Sequence, residues 1–592
     1  MRAGSVAAAA DGPPAFLGVE RSAMGRRWVG PDAAVERAAD RLAQVAGLAR
    51  PVAQVLAARG VPAEDAAAFL APRLRDLLPD PRSLRDMDRA AARFLAAVAR
   101  RERIAVFADY DVDGGSAAAL LLTWLRAMGR EATLYVPDRI DEGYGPNPTA
   151  MRSLAAAHDL ILCVDCGTLG HEALAAAEGA DVVVLDHHLG GDTLPPALAV
   201  VNPNRADEDG ALAHLCAAAV VFLMLVEANR QLRQEGTQGP ELMDLLDLVA
   251  LATVADVAPL VGVNRALVRQ GLAVMARRGR PGLVALADAA RLEGPPDARA
   301  LGFILGPRVN AGGRVGRADL GARLLATPDA AEAAALADRL EALNAERRAI
   351  EAAVRTAALA QVEARGADGP LVWAAGAGWH PGVVGIVAAR LKEATGRPAV
   401  VIGLDGDLGK GSARSVTGVD LGAAVQRLAA EGWLIRGGGH RMAAGLTVAA
   451  DRLEAAMARL ADLLARQGAG AAGAERLRLD GLLMPEAATP ALVAEIEAAG
   501  PFGAAAPAPR FALADVRIAQ LSRMGEAHLR LRLAGGLEAV AFGVAGTPLA
   551  AALEGHGGGR LHLAGRLERD RWQGRDRVRL RLDDAARPPE RA

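Results

Sequence analysis

The sequence contains very little lysine and few aromatic residues. Lys392 and Lys410 are the only lysines, so almost all of the 68 basic residues are arginines. Aromatic residues make up 3% of the chain, and the 52% hydrophobic content is mostly alanine, leucine and valine. The apolar residues suffice for several cores, and arginine is the better bidentate ligand for phosphate. The composition therefore does not exclude a nucleic-acid ligand, although the net charge of −2 does not indicate one.

Long hydrophobic runs and paired cysteines are also missing. No run of about 18 uncharged apolar residues occurs, so no membrane span is expected. The start of the chain does not resemble an export signal. Cys163, Cys166 and Cys216 are an odd number of thiols, as is typical of a reducing compartment. We therefore expect a cytoplasmic protein without a membrane partner, and we interpret Cys163 and Cys166 as small residues at a strand end.

A chain of 592 residues predicts roughly three or four domains. From about residue 80 to 200, apolar strands alternate with alanine-rich helices, which indicates a parallel α/β sheet. Short alternating strands near the C-terminus favour a small β-barrel. The predicted segments are a flexible lead-in over 1–34, an α/β domain with N-terminal helices over 35–327, a connecting helix over 328–366, a second α/β domain over 367–466 and the barrel over 474–585.

Three acidic runs stand directly after three predicted strands. They are Asp109-Tyr110-Asp111-Val112-Asp113, Val164-Asp165-Cys166-Gly167 and Asp186-His187-His188. Ligands of an open parallel sheet bind beyond the carboxyl ends of its strands, so these runs should meet. Clustered carboxylates need a compensating cation, and an oxygen-rich set with histidine suits Mg²⁺ or Mn²⁺ better than zinc or copper. The pattern predicts a metal-dependent phosphoester hydrolase.

Each run also has a simpler interpretation. The alternating aspartates could form a solvated turn, whereas a calcium loop is excluded because Leu120 stands where that loop requires glutamate. The two adjacent histidines could lie in a surface loop. Asp256, which follows an apolar helical segment, is by itself more typical of a helix cap or a surface acid.

Taken together, the acidic runs and Thr253-Val254-Ala255-Asp256 resemble the four motifs of the DHH phosphoesterase superfamily, in particular its bacterial single-strand-specific 5′ exonucleases. Further stretches match in the same order, at 137–145, 306–314, 378–387 and 437–440. The resemblance covers about residues 60 to 585. It implies an α/β fold with two lobes, a DHH domain and a DHH-associated domain, joined by a long helix and followed by an oligonucleotide-binding (OB) barrel.

The resemblance also assigns roles to residues. Asp111, Asp113, Asp165, His187 and Asp256 should hold two Mn²⁺ or Mg²⁺ ions, with Asp165 bridging them, and Asp109 and His188 should complete the catalytic site. The residues expected to bind substrate are Arg139, Tyr144, Arg308, Asn310, Arg314, His380, Ser412, Arg414, Ser415, Gly438, Gly439 and His440. Ser412, Arg414 and Ser415 are expected in a glycine-rich loop that receives the 5′ end.

The implied function is hydrolysis of single-stranded DNA from its 5′ end to 5′-mononucleotides, in DNA recombination and repair. We expect a monomer, with a helicase and a single-strand-binding protein as candidate partners. Two alternatives are a DHH phosphodiesterase for short oligonucleotides or cyclic dinucleotides and a non-catalytic single-strand-binding relative. The predicted barrel argues against the first, and the intact acidic motifs argue against the second. The residues leave open the preferred metal, activity on RNA, processivity and the role of the variant loop at 504–507.

Overall fold

The computed structural model describes residues 14–139, 141–470, 475–572 and 575–589. The chain divides into two compact units. The core unit comprises Leu77–Ala472 with Gly503–Ala505, and the terminal unit comprises Met1–Asp76, Gly473–Phe502 and Ala506–Ala592. Among the described residues, no helix has both the length and the hydropathy needed to cross a membrane.

The strands are β1 (Arg27–Val29), β2 (Ile104–Ala108), β3 (Thr133–Tyr135), β4 (Leu160–Val164), β5 (Asp181–Leu185), β6 (Ala199–Val201), β7 (Val372–Ala377), β8 (Ala399–Asp405), β9 (Leu408–Arg414), β10 (Arg436–His440), β11 (Ala443–Ala449), β12 (Arg476–Arg478), β13 (Gly481–Leu482), β14 (Phe511–Val516), β15 (Ile518–Met524), β16 (His528–Leu533), β17 (Glu538–Ala541), β18 (Leu561–Trp572) and β19 (Arg575–Ala586).

The α-helices are α1 (Ala33–Ala46), α2 (Arg50–Ala58), α3 (Ala66–Leu70), α4 (Leu74–Leu77), α5 (Met87–Ala99), α6 (Val112–Ala127), α7 (Pro148–Ala157), α8 (His171–Ala175), α9 (Ala217–Gln234), α10 (Leu246–Ala255), α11 (Gly262–Met275), α12 (Pro281–Ala289), α13 (Ala298–Ala300), α14 (Gly306–Val315), α15 (Leu320–Ala326), α16 (Ala330–Arg365), α17 (Pro381–Thr395), α18 (Leu421–Ala430), α19 (Leu453–Ala465), α20 (Pro490–Ala498) and α21 (Pro548–Glu554). A π-helical turn, Leu301–Leu305, leads into α14.

The first sheet of the core unit is parallel throughout, in the order β3-β2-β4-β5-β6. Strands β2 and β4 are buried along their whole length, as expected where helices cover both faces of a sheet. Ala108 pairs with Val164, and Val164 pairs with Leu185. The acidic runs that follow β2, β4 and β5 therefore begin side by side, as the sequence predicted.

The second sheet of the core unit has the order β10-β11-β9-β8-β7 and is mixed. The predicted glycine-rich loop at 409–415 is wrong, because most of this segment is strand β9. A Cβ at Gly409 or Gly411 would lie 2.8 Å from a side-chain carbon of Ile402. The glycines are therefore explained by close packing beneath Ile402 rather than by a turn.

Helix α16 connects the two α/β parts of the core unit, and the predicted long connecting helix is confirmed. In its first half, Leu340 lies 3.3 Å from the position of a Cβ on Gly312 of α14. In its second half, Val354, Ala358 and Val362 belong to the apolar core of the second α/β part. One face of the helix thus packs against both parts and links them.

The terminal unit contains a mixed seven-stranded sheet in the order β13-β14-β18-β19-β17-β16-β15. Strand β1 pairs with β12 in parallel, and Trp28 on β1 is fully buried. The prediction of a flexible lead-in over 1–34 is therefore wrong for residues 14–34, because this segment supplies a strand and a core tryptophan. Residues 1–13 lie outside the described residues.

Helices α1 and α2 were predicted to belong to the α/β domain over 35–327. Their buried residues, including Leu42 and Leu56, instead share a core with Leu483 and Phe511 of the terminal unit. Helical periodicity predicts that such a helix has an apolar face, but it does not identify the partner of that face.

Asp584 secures the N-terminal segment, and its removal should destabilise the terminal unit. Its carboxylate is buried and accepts hydrogen bonds from the Ser22 hydroxyl at 2.6 Å and the Trp28 indole at 3.2 Å. Asp584→Ala leaves both donors unsatisfied, and we expect a loss of about 2–4 kcal/mol in urea denaturation followed by tryptophan fluorescence. The control is Glu475→Ala, whose exposed ion pair with Arg26 should contribute less than about 1 kcal/mol. Equal effects of the two substitutions would contradict this role.

Candidate metal centre

The turn between β2 and α6 is organised by its own aspartates. The Asp111 carboxylate caps α6, accepting hydrogen bonds from the backbone N–H of Asp113 at 2.8 Å and of Gly114 at 3.2 Å. A Cβ on Gly114 would lie 2.5 Å from the carbonyl oxygen of Asp109, so the tight turn needs glycine here. The capped turn holds all three aspartates of the first motif at the edge of the sheet.

Asp113 is buried and is held by backbone amides. Its two carboxylate oxygens accept hydrogen bonds from the N–H groups of Ala217 at 2.7 Å and Ala218 at 2.8 Å. These amides stand at the N-terminus of α9, where free N–H groups and the helix dipole favour negative charge. Our sequence reasoning missed this support, because backbone N–H groups leave no mark in the residue types beyond the helix start itself.

His187 lies between three carboxylates. Its Nε2 atom is 3.2 Å from an oxygen of Asp165 and 3.6 Å from an oxygen of Asp113, and its Nδ1 atom is 3.8 Å from Asp256. Asp165 has a φ of 60°, an uncommon backbone conformation that directs the side chain at the end of β4. The imidazole therefore joins motifs that are far apart in the sequence.

The side chains form three groups of potential metal ligands, the ligand atoms within each group lie within 4.8 Å of one another, and the groups share members. The groups are Asp165 with His187 and His188, Asp113 with His187 and Asp256, and Asp109 with Asp111 and Asp165. The structure thus brings together all seven residues that the sequence predicted for the metal and catalytic site. Asp165 and His187 each belong to two of these groups, and the bridging role of Asp165 stays a prediction.

Burial makes the charges of this cluster unfavourable in the absence of a cation. Burial, with the nearby charge of Asp111, raises the pKa of Asp109 and Asp165 well above the usual range. Burial, with the charge of Asp113, raises the pKa of Asp256 from 3.8 to about 8. One buried oxygen each of Asp109 and Asp165 has no hydrogen-bond partner among the described residues. Unsatisfied carboxylate oxygens beside imidazoles fit Mn²⁺ or Mg²⁺.

Asp186 orients His188 and is a supporting residue that the site prediction left out. It accepts hydrogen bonds from the N–H groups of Thr168 at 3.0 Å and His187 at 2.8 Å and lies 2.8 Å from Nδ1 of His188. Burial alone would raise the pKa of Asp186, but these hydrogen bonds, beginning with that of His188, hold it below the usual range. Burial alone would lower the pKa of His188, but the hydrogen bond and charge of Asp186 raise it to about 9. The Tyr144 hydroxyl lies 3.0 Å from the other ring nitrogen, Nε2.

Three of the predicted substrate-binding arginines form a positive cluster. Burial and the nearby charge of Arg139 lower the pKa of both Arg314 and Arg414. Within the described part of the chain, none of the three is seen to form an ion pair with a carboxylate, and Arg139 instead lies over the Tyr110 ring at 5.2 Å. Arg414 donates to the Ser412 hydroxyl at 3.0 Å. A cluster of mutually repelling guanidinium groups favours a bound anion such as phosphate.

Two predicted substrate residues support the site from α14. The guanidinium of Arg308 forms a two-pronged ion pair with Glu341 of α16, so it is engaged within the protein. Asn310 accepts a hydrogen bond from the backbone N–H of Val112 at 3.0 Å. It therefore positions the metal-binding turn through the backbone between Asp111 and Asp113.

The remaining predicted substrate residues lie in the second α/β part. Ser415 is buried and donates to the Val419 carbonyl at 2.8 Å, so its hydroxyl is not offered to a ligand. His380 caps α17, accepting a hydrogen bond from the N–H of Gly382 at 3.0 Å. Gly438, Gly439 and His440 lie on β10, and their predicted role in substrate binding stays a prediction.

Comparison with known proteins identifies the family. Residues 103–253 match the DHH family N-terminal domain, 368–466 the DHHA1 domain and 479–584 the RecJ OB domain. The single-stranded-DNA-specific exonuclease RecJ of Dickeya dadantii is 38% identical over 505 residues, which cover 80% of this chain and 86% of that protein. This chain belongs to the RecJ family.

Solved structures agree with this assignment. RecJ from Thermus thermophilus in complex with Mn²⁺ gives a TM-score of 0.80 at 31% identity, over 95% of this chain and 80% of that one. The Mg²⁺ complex from the same organism gives 0.74 at 30% identity, over 95% and 79% of the two chains. RecJ structures thus hold both of the ions that the carboxylate-rich centre fits.

Metal binding to this centre should strengthen as the pH rises. Because the folded protein raises the pKa of Asp256 to about 8, binding of Mn²⁺ below that pH releases protons. We expect the affinity for Mn²⁺ to rise by up to about tenfold per pH unit for each proton released. Isothermal titration calorimetry between about pH 6 and pH 8 measures this slope.

Asp256→Asn should bind Mn²⁺ more weakly and with a shallower dependence on pH. The control Asp462→Asn, on the exposed face of α19, should behave as the wild type does. The assignment of Asp256 is wrong if both variants keep the wild-type slope.

Proposed function

We propose that this chain is a single-stranded-DNA-specific exonuclease that hydrolyses phosphodiester bonds from the 5′ end and releases 5′-mononucleotides, in DNA recombination and repair. The observation that carries the proposal is the presence of two charged clusters in the core unit. One is the carboxylate cluster, which favours bound cations, and the other is the arginine cluster, which favours a bound anion. A nucleic-acid strand with bound divalent metal would supply the cations to the carboxylate cluster and phosphate anions to the arginine cluster. The RecJ proteins similar to this chain are named for the same activity.

The metal ligands are Asp111, Asp113, Asp165, His187 and Asp256. Two divalent ions bound by them would supply an activated water and neutralise charge at the phosphate. Asp109, with its unsatisfied buried oxygen, lies against the same turn and completes the set. These side chains would hold the ions at the edge of the sheet before substrate arrives.

His188 is suited to hydrogen-bond the scissile phosphate and to deliver a proton. Asp186 fixes its Nδ1 side, and the hydrogen bond and charge of Asp186 favour the protonated ring by raising the pKa of His188. Nε2 is then the atom that can donate to a phosphate oxygen or to the departing 3′ oxygen of the terminal nucleotide. Tyr144, whose hydroxyl reaches Nε2, holds the ring in position.

Arg139, Arg314 and Arg414 are suited to bind the phosphates of the strand end. Their positive charge has no carboxylate ion-pair partner among the described residues, and Ser412 beside Arg414 offers a neutral hydroxyl. Charge-assisted hydrogen bonds of this kind fix both the position and the orientation of a phosphate. A terminal phosphate held here would present the first phosphodiester to the metal centre.

The proposal also covers the oligomeric state, the partners and the location of the enzyme. A monomer suffices, because one chain supplies all seven residues of the metal and catalytic site. A helicase and a single-strand-binding protein are the candidate partners, since a single-strand-specific enzyme needs separated strands. We place the enzyme in the cytoplasm, where bacterial DNA lies.

Digestion of end-labelled single strands tests the proposal. With Mn²⁺, the wild type should release labelled mononucleotide at once from a 5′-labelled strand, whereas a 3′ label should appear in mononucleotide only late. Asp165→Ala should lose at least about a thousandfold in rate, because it removes a carboxylate that would hold the divalent ions. Asp462→Ala is the matched control and should retain the wild-type rate.

Each other result points elsewhere. Binding of single strands without cleavage by the wild type would favour a non-catalytic binder. Cleavage of only the shortest oligomers or of cyclic dinucleotides would favour the small-substrate phosphodiesterase. Early mononucleotide release from the 3′ label would reverse the proposed polarity.

Loss of the Arg414 charge should weaken binding of the strand end. We expect Arg414→Gln to bind a 5′-phosphorylated single strand roughly tenfold more weakly, because one charge-assisted hydrogen bond to phosphate is lost. The salt dependence of binding should fall by about 0.7 in the log–log slope. Fluorescence anisotropy without divalent metal measures both quantities, and exposed Arg466→Gln is the control. An unchanged slope would show that Arg414 does not contact phosphate.

A further inference from the structure

Helix α14 touches the metal-binding turn at two points. Asn310 accepts the hydrogen bond of the Val112 N–H, and a Cβ on Gly313 would lie 2.6 Å from the Tyr110 ring. No side chain larger than hydrogen fits between α14 and Tyr110 without movement. The position of the helix is therefore tied to that of the metal ligands Asp111 and Asp113.

The C-terminal end of the same helix touches the start of α17 in the second α/β part. Arg314 donates a hydrogen bond from its guanidinium to the carbonyl oxygen of Gly382 at 3.0 Å. A Cβ on Gly382 would lie 2.3 Å from the backbone carbonyl oxygen of Arg314 and 3.0 Å from Nδ1 of His380. The two helices thus meet with room for no more than a hydrogen atom.

Helix α17 in turn lies against the phosphate-binding side chains. A Cβ on Gly385 would lie 3.0 Å from the Ser412 hydroxyl oxygen and 3.2 Å from a guanidinium nitrogen of Arg414. Gly382 and Gly385 are one helical turn apart on α17. A displacement at Gly382 would therefore also shift the surface on which Ser412 and Arg414 rest.

We propose that the close contact between Arg314 and Gly382 sets the distance between the metal centre and the Ser412–Arg414 pair, and so aligns the first phosphodiester with the metal ions. The proposal rests on the proposed function. Gly382 is a positioning residue, because it acts through α14 and α17 and not through contact with substrate. Helix α16 packs against both parts as a second link between them, so we expect a change at Gly382 to act as a local change of spacing.

The test is a series of side chains of increasing size at Gly382. Relief of the 2.3 Å contact in Gly382→Ala requires a displacement of about 1 Å, and such a misplacement of reacting groups costs on the order of a hundredfold in rate. We expect kcat on a 5′-phosphorylated single strand to fall by about that factor, and further in Gly382→Val. KM should change much less than kcat, because every side chain proposed to bind the strand is retained and only its distance from the metal centre changes.

Two measurements separate positioning from damage to the fold. Mn²⁺ affinity, measured by calorimetry, should stay within about twofold of the wild type in both variants, since the metal ligands are untouched. Gly369→Ala in the same α/β part is the matched control and should keep the wild-type kcat, because a Cβ there meets only the Leu371 carbonyl oxygen at 3.6 Å.

The outcomes are distinct. A wild-type kcat in Gly382→Ala overturns the proposal and leaves the proposed function intact. Loss of Mn²⁺ affinity together with kcat also overturns it, because the contact would then support the fold of the metal centre. A wild-type protein that does not digest single strands at all overturns the proposed function itself.

Discussion

Repulsion between buried carboxylates is the constraint on which the active centre depends. Three strands of the parallel sheet end at one edge, and an acidic run follows each of them. The surrounding helices bury most of the acids in these runs. The protein satisfies some of these charges itself: Asp113 receives two amides of α9, and Asp186 receives backbone amides and the His188 ring. Asp109 and Asp165 each keep a buried oxygen without a hydrogen-bond partner among the described residues, and that of Asp165 lies 3.2 Å from Nε2 of His187. Asp113 therefore has backbone support in addition to its place among the predicted metal ligands, whereas the unsatisfied oxygens of Asp109 and Asp165 are left for a cation.

The core unit also contains the arginine cluster, in which positive rather than negative charges lie close together. The charge of Arg139 opposes those of Arg314 and Arg414, and no ion pair of these arginines with a carboxylate is seen in the described part of the chain, so an anion is favoured here as cations are favoured at the aspartates. A single strand with bound divalent ions meets both requirements at once. A protein with a net charge of only −2 can therefore bind a polyanion, because the charge that matters is that of the local arginine cluster and of the metal ions.

The sequence predicted what depends on strand ends and residue types. Six of the seven residues predicted for the metal and catalytic site stand directly after apolar strands, whose carboxyl ends meet at one edge of a parallel sheet, whereas Asp256 follows helix α10 and was predicted only from the family resemblance. The sequence could not reveal the amides of Ala217 and Ala218, since every residue carries such groups. The glycines of β9 suggested a loop, although they serve close packing under Ile402. The burial of Trp28 depends on a strand near residue 477, a pairing too distant in sequence for local patterns to show.

The scarcity of aromatic residues has a consequence in the OB domain. Phe542 is 38% exposed, and the guanidinium groups of Arg579 and Arg581 lie 5.6 and 5.5 Å from its ring. Both arginines also pair with Glu568 at 3.4 Å. A base could stack on this ring only by displacing a cation, and a phosphate could bind these arginines only in competition with a carboxylate. Binding to this face should therefore be weak for each nucleotide, tolerant of sequence and sensitive to salt, so that recognition of the strand end depends on the core unit.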